Sequence, residues 1–147
     1  MLALLWKAVL GVGVVLALLL AGASLYYIYI VNPKVVVELQ TEPTAERAQR
    51  VMLLTLPTGK TIPVNYLKEG NTVFVGADGR WWREFRDKGK DVEFFLQGAV
   101  LNGRAVAITN DPEYRDEVFS RLRPTAPAWF PEWLKGVLIE IAIAEEL

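Results

Sequence analysis

The sequence contains no cysteine and no histidine. Without cysteine there is no disulfide, so the redox state of its compartment leaves no mark on the chain. The two absences together remove a cysteine nucleophile, a histidine general base and any zinc site of the usual nitrogen or sulfur kind. Serine is almost as scarce. Ser24 sits in an apolar run and Ser120 in a predicted helix, so a hydrolase triad has little to assemble from. Neither sign of charge dominates: 16 Lys and Arg face 17 Asp and Glu, for a net charge of −1. No basic run of the kind that grips phosphate backbones occurs, which argues against nucleic acid as a partner. An enzyme built from what remains needs a bound cofactor to carry its reaction.

What the chain has in plenty is one long apolar stretch. Residues 8–31, AVLGVGVVLALLLAGASLYYIYIV, hold no charge. As a helix they reach about 36 Å, enough to cross a hydrocarbon core of roughly 30 Å with some tilt. A helix also satisfies its own backbone groups in lipid. Tyr26, Tyr27 and Tyr29 suit the headgroup level at its far end, and Asn32-Pro33-Lys34 is expected to stop the span. The rival reading is a cleaved signal peptide, with Ala21-Gly22-Ala23 as the small-residue site. Against it, the apolar run continues well past Ala23 and only Lys7 precedes it. The expectation is an uncleaved, single-pass anchor in membrane lipid. Lys7 on one side and Lys34, Arg47 and Arg50 on the other leave the orientation nearly undecided by charge.

The expected organisation is an anchor at 1–33, a linker at 34–50 and one barrel domain at 51–147. Val35-Val36-Val37 reads as a short strand or the exit from the membrane, and QTEPTAERAQR at 40–50 as a polar linker or short helix. Three short β-rich runs, 51–56, 61–67 and 72–77, are separated by Pro-Thr-Gly-Lys and Lys-Glu-Gly-Asn turns, as in a β-meander. Pro63 removes a ladder donor and marks the second run as an edge strand or a bulge. RWWREFRDK at 80–88 suits a short amphipathic helix with Trp81, Trp82 and Phe85 on one side. Residues 91–101 read as a strand and Asn102-Gly103 as a hairpin turn. A helix capped by Asn110 or Asp111 with Pro112 in its first turn runs to Leu122, and 136–144 form a last strand. The sum is a mainly β, α+β fold: a small antiparallel barrel with helical covers.

Three constellations offer chemistry. The turn Thr58-Gly59-Lys60-Thr61 combines a flexible backbone, a point charge and hydroxyls, a set able to hold phosphate; the same residues also make an ordinary solvated hairpin. Ala77-Asp78-Gly79-Arg80-Trp81-Trp82-Arg83 joins a strand end to a helix start, with arginines that fork anions and tryptophans that stack on a ring; the alternative is core tryptophan beside snorkelling arginine. Trp129-Phe130-Pro131-Glu132-Trp133 either lies against lipid, walls an apolar pocket, or plugs one end of the barrel.

In order, LLTLPTGKTIPVNYLKEGNTVFVG at 53–76, GRWWREFRDKGKDVEFFLQG at 79–98 and LNGRAVAIT at 101–109 resemble the deazaflavin-dependent nitroreductase and quinone-reductase family, a branch of the split β-barrel, FMN-binding-like superfamily. The resemblance covers about two-thirds of the chain and none of the anchor. It implies a deazaflavin (coenzyme F-420) or FMN in a groove of the barrel, commonly between two subunits. Thr58, Gly59, Lys60 and Thr61 would take the phosphate tail, and Pro63 and Val64 would lie along the ring. Ala77, Asp78, Gly79 and Arg80 would line the opposite wall, closed by Trp82 and Arg83. The chain departs from the family in a loop shortened to Thr-Gly-Lys, and in Glu84 or Phe85 where an Asn is usual. The expected function is a membrane-anchored oxidoreductase passing a hydride to a quinone or nitro-type acceptor, its barrel on the cytoplasmic side and paired as a homodimer. The alternatives are a non-catalytic split barrel that binds a lipid, haem or partner protein at the membrane, and an assembly factor whose working part is the anchor.

Overall fold

The computed structural model describes residues 1–144, with the backbone alone for residues 2–4. The chain divides into two compact units, the second beginning at Glu38.

The first unit is helical. Helix α1 (Leu2–Tyr26) leads into a wide π turn (Tyr27–Val31) and helix α2 (Asn32–Thr41). Apart from Lys7 near its start and Ser24, whose hydroxyl bonds Leu20 O, the described side chains of α1 are exposed and apolar all round, so the helix has no polar face to turn to water. Leu5–Thr41 is one helical run long and apolar enough to cross a membrane. Asn32-Pro33-Lys34 does not stop the helix, and Val35–Val37 are helical rather than extended. Pro33 has no amide to give and its ring crowds the carbonyl four residues back. The π turn just ahead of it, where Asn32 N–H reaches Tyr27 O, supplies the wider ring that lets the helix pass.

The second unit is a barrel. After a 3-10 turn (Glu46–Gln49), strands β1 (Val51–Thr55), β2 (Thr61–Glu69), β3 (Thr72–Ala77), β4 (Lys90–Leu96), β5 (Ala99–Ile108) and β6 (Val137–Ile143) close in the order β1-β2-β3-β6-β5-β4. Every neighbouring pair is antiparallel. Alternation along each strand sends Met52, Leu54, Val64, Val75, Phe94, Ile139 and Ile141 inward, and closure leaves no long edge to aggregate. Helix α3 (Pro112–Leu122) lies outside on β2, β3 and β6, burying Val118 and Phe119 against Phe74 and Leu138. Its cap is Asp111, whose Oδ1 accepts from the Tyr114 N–H at 3.0 Å.

One local expectation is overturned in the barrel. The β4–β5 hairpin turns at Gln97-Gly98, with φ of 49° and 88°, and not at Asn102-Gly103. Asn102 and Gly103 lie inside β5, opposite Glu93 and Val92. Gly103 is glycine because β6 crowds it: a Cβ there would sit 2.6 Å from the Ala142 carbonyl oxygen. The helix expected at 80–88 is present but shorter and of the 3-10 type, with Trp81, Trp82 and Phe85 toward the core as expected. A 3-10 turn spans Arg80–Phe85, and Asp87 and Gly89 then take positive φ to return the chain into β4. That short segment crosses the end of the barrel and drops Phe85, fully buried, into the core.

Candidate functional site

The barrel is split at one end. β2 pairs with β1 over Thr61–Asn65 and with β3 only over Tyr66–Glu69. Leu56 N–H bonds Lys60 O and Tyr66 N–H bonds Arg50 O, which makes Leu53↔Pro63 a pair without mutual hydrogen bonds. Pro63 therefore points its missing donor toward the open side, and the edge expected from its sequence exists over half of β2. On the facing strand the ladder stops at Val75, and the Gly76 carbonyl accepts from Arg123 Nη2 at 3.0 Å instead. A Cβ on Gly76 would collide with that guanidinium, so glycine lets Arg123 lie flat on β3 as a wedge. Arg123 also forks Asp78, with Nη1–Oδ1 at 2.8 Å and Nη2–Oδ2 at 3.0 Å, and packs 5.0 Å from the Phe119 ring centroid.

The antiparallel register puts the start of β2 and the end of β3 at the same end of the barrel. Thr58, Gly59, Lys60 and Thr61 form an exposed, tight turn. Gly59 takes φ 85° and donates to Leu56 O at 2.8 Å, and the Thr61 hydroxyl bonds the Thr55 hydroxyl at 3.2 Å. The turn thus offers Lys60 and the Thr58 hydroxyl, and no cradle of amides. Pro63 faces outward and is half-buried, whereas Val64 and Ala77 are turned into the core, leaving only their backbone to an external ligand. Asp78 is committed to Arg123. Gly79 leads into the 3-10 turn, where Trp81 meets Phe85 edge-on at 6.1 Å. Trp82 is half-buried, with the Arg83 and Arg86 guanidinium carbons 5.8 and 5.9 Å from its ring centroid. Among the described residues, Lys60, Arg80 and Arg83 reach no carboxylate. The turn at Arg80 is too short to add a helix dipole, so side chains supply the positive charge, Arg86 included, which also reaches no carboxylate among the described residues.

The Arg123 wedge also borders a groove whose arginines are all engaged. A groove of about 1110 Å³ runs past Arg47, Arg50, Tyr66, Asp78, Arg121 and Arg123, and of the predicted site residues it includes only Asp78. Tyr66 donates to Ala48 O at 2.9 Å and accepts from Gln97 at 2.8 Å; burial holds its hydroxyl above the usual range, partly offset by Gln97. Every arginine in the groove has an acid: Arg47 with Glu38, Arg50 with Glu46, Arg121 with Glu69 and Glu117, and Arg123 with Asp78. Beyond α3, Arg115 bonds Asp116 and Glu132, and Lys135 bonds the same two carboxylates. These bonds pin residues 124–135 to the outside of α3. Trp129 and Trp133 are 77% and 80% exposed, so this stretch is no plug for the barrel. No short window of sequence marks Arg123, which acts on Gly76 across a separation of 47 residues.

No protein-family model matches the sequence, and no curated protein matches it either. A solved structure from Listeria innocua, provisionally described as a pyridoxamine 5′-phosphate oxidase, matches with TM-score 0.52 at 15% identity, over 77% of this chain and 93% of its own. A Mesorhizobium loti protein described as FAD-binding covers 74% of this chain and 89% of its own at 20% identity; its TM-score of 0.43 is too low to argue from. The second unit has the split-barrel fold. Neither neighbour is described as a deazaflavin-dependent nitroreductase, and at such identities the likeness speaks for fold alone.

Proposed function

We propose that this chain is a membrane-anchored oxidoreductase that holds a reduced deazaflavin or FMN at the split end of the barrel and passes a hydride to a quinone or nitro-type acceptor. The supporting observation is that Lys60, Arg80 and Arg83 reach no carboxylate among the described residues, with the Arg83 guanidinium 5.8 Å from the ring centroid of half-buried Trp82 and β2 unpaired with β3 over Thr61–Asn65. Charge, an aromatic face and an open backbone edge are what a phosphorylated, planar, hydrogen-bonding cofactor requires. Lys60 and the Arg83 fork would hold the phosphate, Pro63 and Trp82 would flank the ring, and the open edge of β2 would meet its polar rim. When bound, the cofactor supplies the two-electron hydride chemistry. The chain contributes position and exclusion of water, consistent with the absence of a buried charged side chain among the described residues. The helix Leu5–Thr41 would keep the barrel beside acceptors dissolved in lipid, and the cytosolic origin of both cofactors favours a cytoplasmic barrel, paired as in other split barrels.

A second reading has one observation in its favour. The closed β1–β2 turn is poor in phosphate contacts, which suits a non-catalytic barrel that takes a lipid, haem or protein partner. The absorption spectrum of the full chain, purified in detergent from a host that makes both cofactors, separates the two. Flavin or deazaflavin bands that co-purify, or saturable binding of either in titration, support the oxidoreductase. A colourless protein that neither cofactor stabilises against heat overturns it.

A further inference from the structure

Two of the most exposed aromatic residues outside the N-terminal helices, Trp129 and Trp133, stand on a rigid support. Leu134 beside them is 45% exposed. Residues 124–131, PTAPAWFP, carry no charge. The one acid that follows, Glu132, is held by Arg115 at 2.6 Å and Lys135 at 2.7 Å, and its pKa is lowered by those bonds. Turn bonds from Ala126 to Arg123 O and from Leu134 to Pro131 O fix the backbone, and Trp129 rests edge-on against Phe130 at 5.2 Å. Phe130 is half-buried over a shallow pocket of about 330 Å³ shared with Phe119 and Pro127. The loop thus anchors itself through Phe130 and its ion pairs and leaves both indoles outside.

We infer that residues 124–134 are a second, peripheral membrane contact, with Trp129, Trp133 and Leu134 entering the interfacial layer of a lipid bilayer. This rests on the membrane reading of Leu5–Thr41. Lipid is favoured over a second copy of the chain on area. Two indoles bury on the order of 400 Å² together, about half of the roughly 800 Å² per partner that a stable protein interface needs. A tethered barrel needs no more, because the tether already supplies a high local concentration of lipid. Indoles carry an apolar body and one N–H donor, the combination that partitions to the headgroup level. The acids and bases around the loop neutralise one another, so the contact is apolar rather than electrostatic and takes zwitterionic lipid as well as anionic.

The missing cysteines make the test clean. Full-length protein bearing Ala128→Cys, Glu113→Cys or Ala17→Cys is spin-labelled and placed in phosphatidylcholine nanodiscs, one copy per disc. Collisions with oxygen and with a water-soluble nickel complex are then compared. The expected result is an oxygen-to-nickel ratio several-fold higher at Ala128 than at exposed Glu113, unchanged by anionic lipid, and abolished by adding Trp129→Ser and Trp133→Ser. A lipid-like ratio at Ala17 with a water-like ratio at Ala128 overturns this inference and leaves the span standing. A water-like ratio at Ala17 overturns the span itself. Protection of Ala128 only in discs that hold two copies assigns the indoles to a dimer contact and also overturns it.

Discussion

Two groups of cations on one barrel have opposite surroundings. Around α3, Arg115, Arg121, Arg123 and Lys135 each meet at least one carboxylate. At the split end, Lys60, Arg80 and Arg83 meet none among the described residues. On the proposed function, the difference would separate support from recognition. A paired arginine must break a bond to take a ligand's anion, whereas an unpaired one exchanges only water. Volume alone points to the groove of about 1110 Å³, where every arginine is engaged; charge satisfaction points to Lys60, Arg80 and Arg83. The cofactor's phosphate, on the proposed function, would sit where the protein has left positive charge unanswered.

The contrast can be broken from either side. The largest expected effect lies on the paired side: Arg123→Ala loses the fork to Asp78, the bond to Gly76 O and packing on Phe119, and should cost about 3 kcal/mol. Thermal unfolding reads the loss, and hydrogen exchange should quicken at Gly76 and along the neighbouring part of β2. A stability unchanged by Arg123→Ala would mean that the wedge holds nothing. On the unpaired side, Lys60→Ala should leave folding within about ±0.5 kcal/mol. Cofactor affinity should fall by roughly 10- to 150-fold, the worth of a charge-assisted contact of about 1.5–3 kcal/mol.

Arg83→Lys is subtler. It keeps the charge and loses the planar fork, so affinity should drop by about fivefold, near 1 kcal/mol, at constant stability. An equal affinity in isothermal titration would make Arg83 a surface cation resting on Trp82. The smallest effect is on pH. Burial disfavours the Asp116 carboxylate, but bonds from Lys135 and Arg115 outweigh it and hold its pKa below the ordinary 3.8. A depressed carboxylate stabilises the fold fully above 3.8, and the benefit is lost as pH falls through its folded-state value. Asp116 is 45% exposed, so less than about 1 kcal/mol is at stake. Acid should quicken hydrogen exchange in residues 124–135 below pH 3.8 while the Phe85 core stays protected.

The barrel was legible because alternation is a local signal. The runs at 51–56, 61–67 and 72–77, the Asp111-Pro112 cap and the last strand all read directly from short windows, and they fall where β1, β2, β3, α3 and β6 lie. Where one residue serves two opposite needs, the window misled. Gly103 looks like a turn glycine but is needed for the close approach of β6, while the true turn hides its first positive φ in Gln97. Pro33 looks like a stop, and a π turn one helical turn away cancels it. The segments of the candidate site were visible as motifs, and the register puts them at one end of the barrel. Which cations were spent was not visible, because Arg123 finds Asp78 across 45 residues and Arg121 finds Glu69 across 52. Ion pairing at that range belongs to topology.

The most direct measurement compares a phosphorylated cofactor with its phosphate-free ring. The full chain in detergent is titrated with FMN and with riboflavin, and likewise with the deazaflavin cofactor and its phosphate-free ring, following fluorescence; Lys60→Ala combined with Arg83→Lys is titrated alongside. The account predicts that the parent binds at least one phosphorylated form more tightly than its bare ring, and that the double variant erases the difference while still binding the ring. Equal binding of phosphorylated and bare forms by the parent, or a phosphate preference that survives in the double variant, would contradict it.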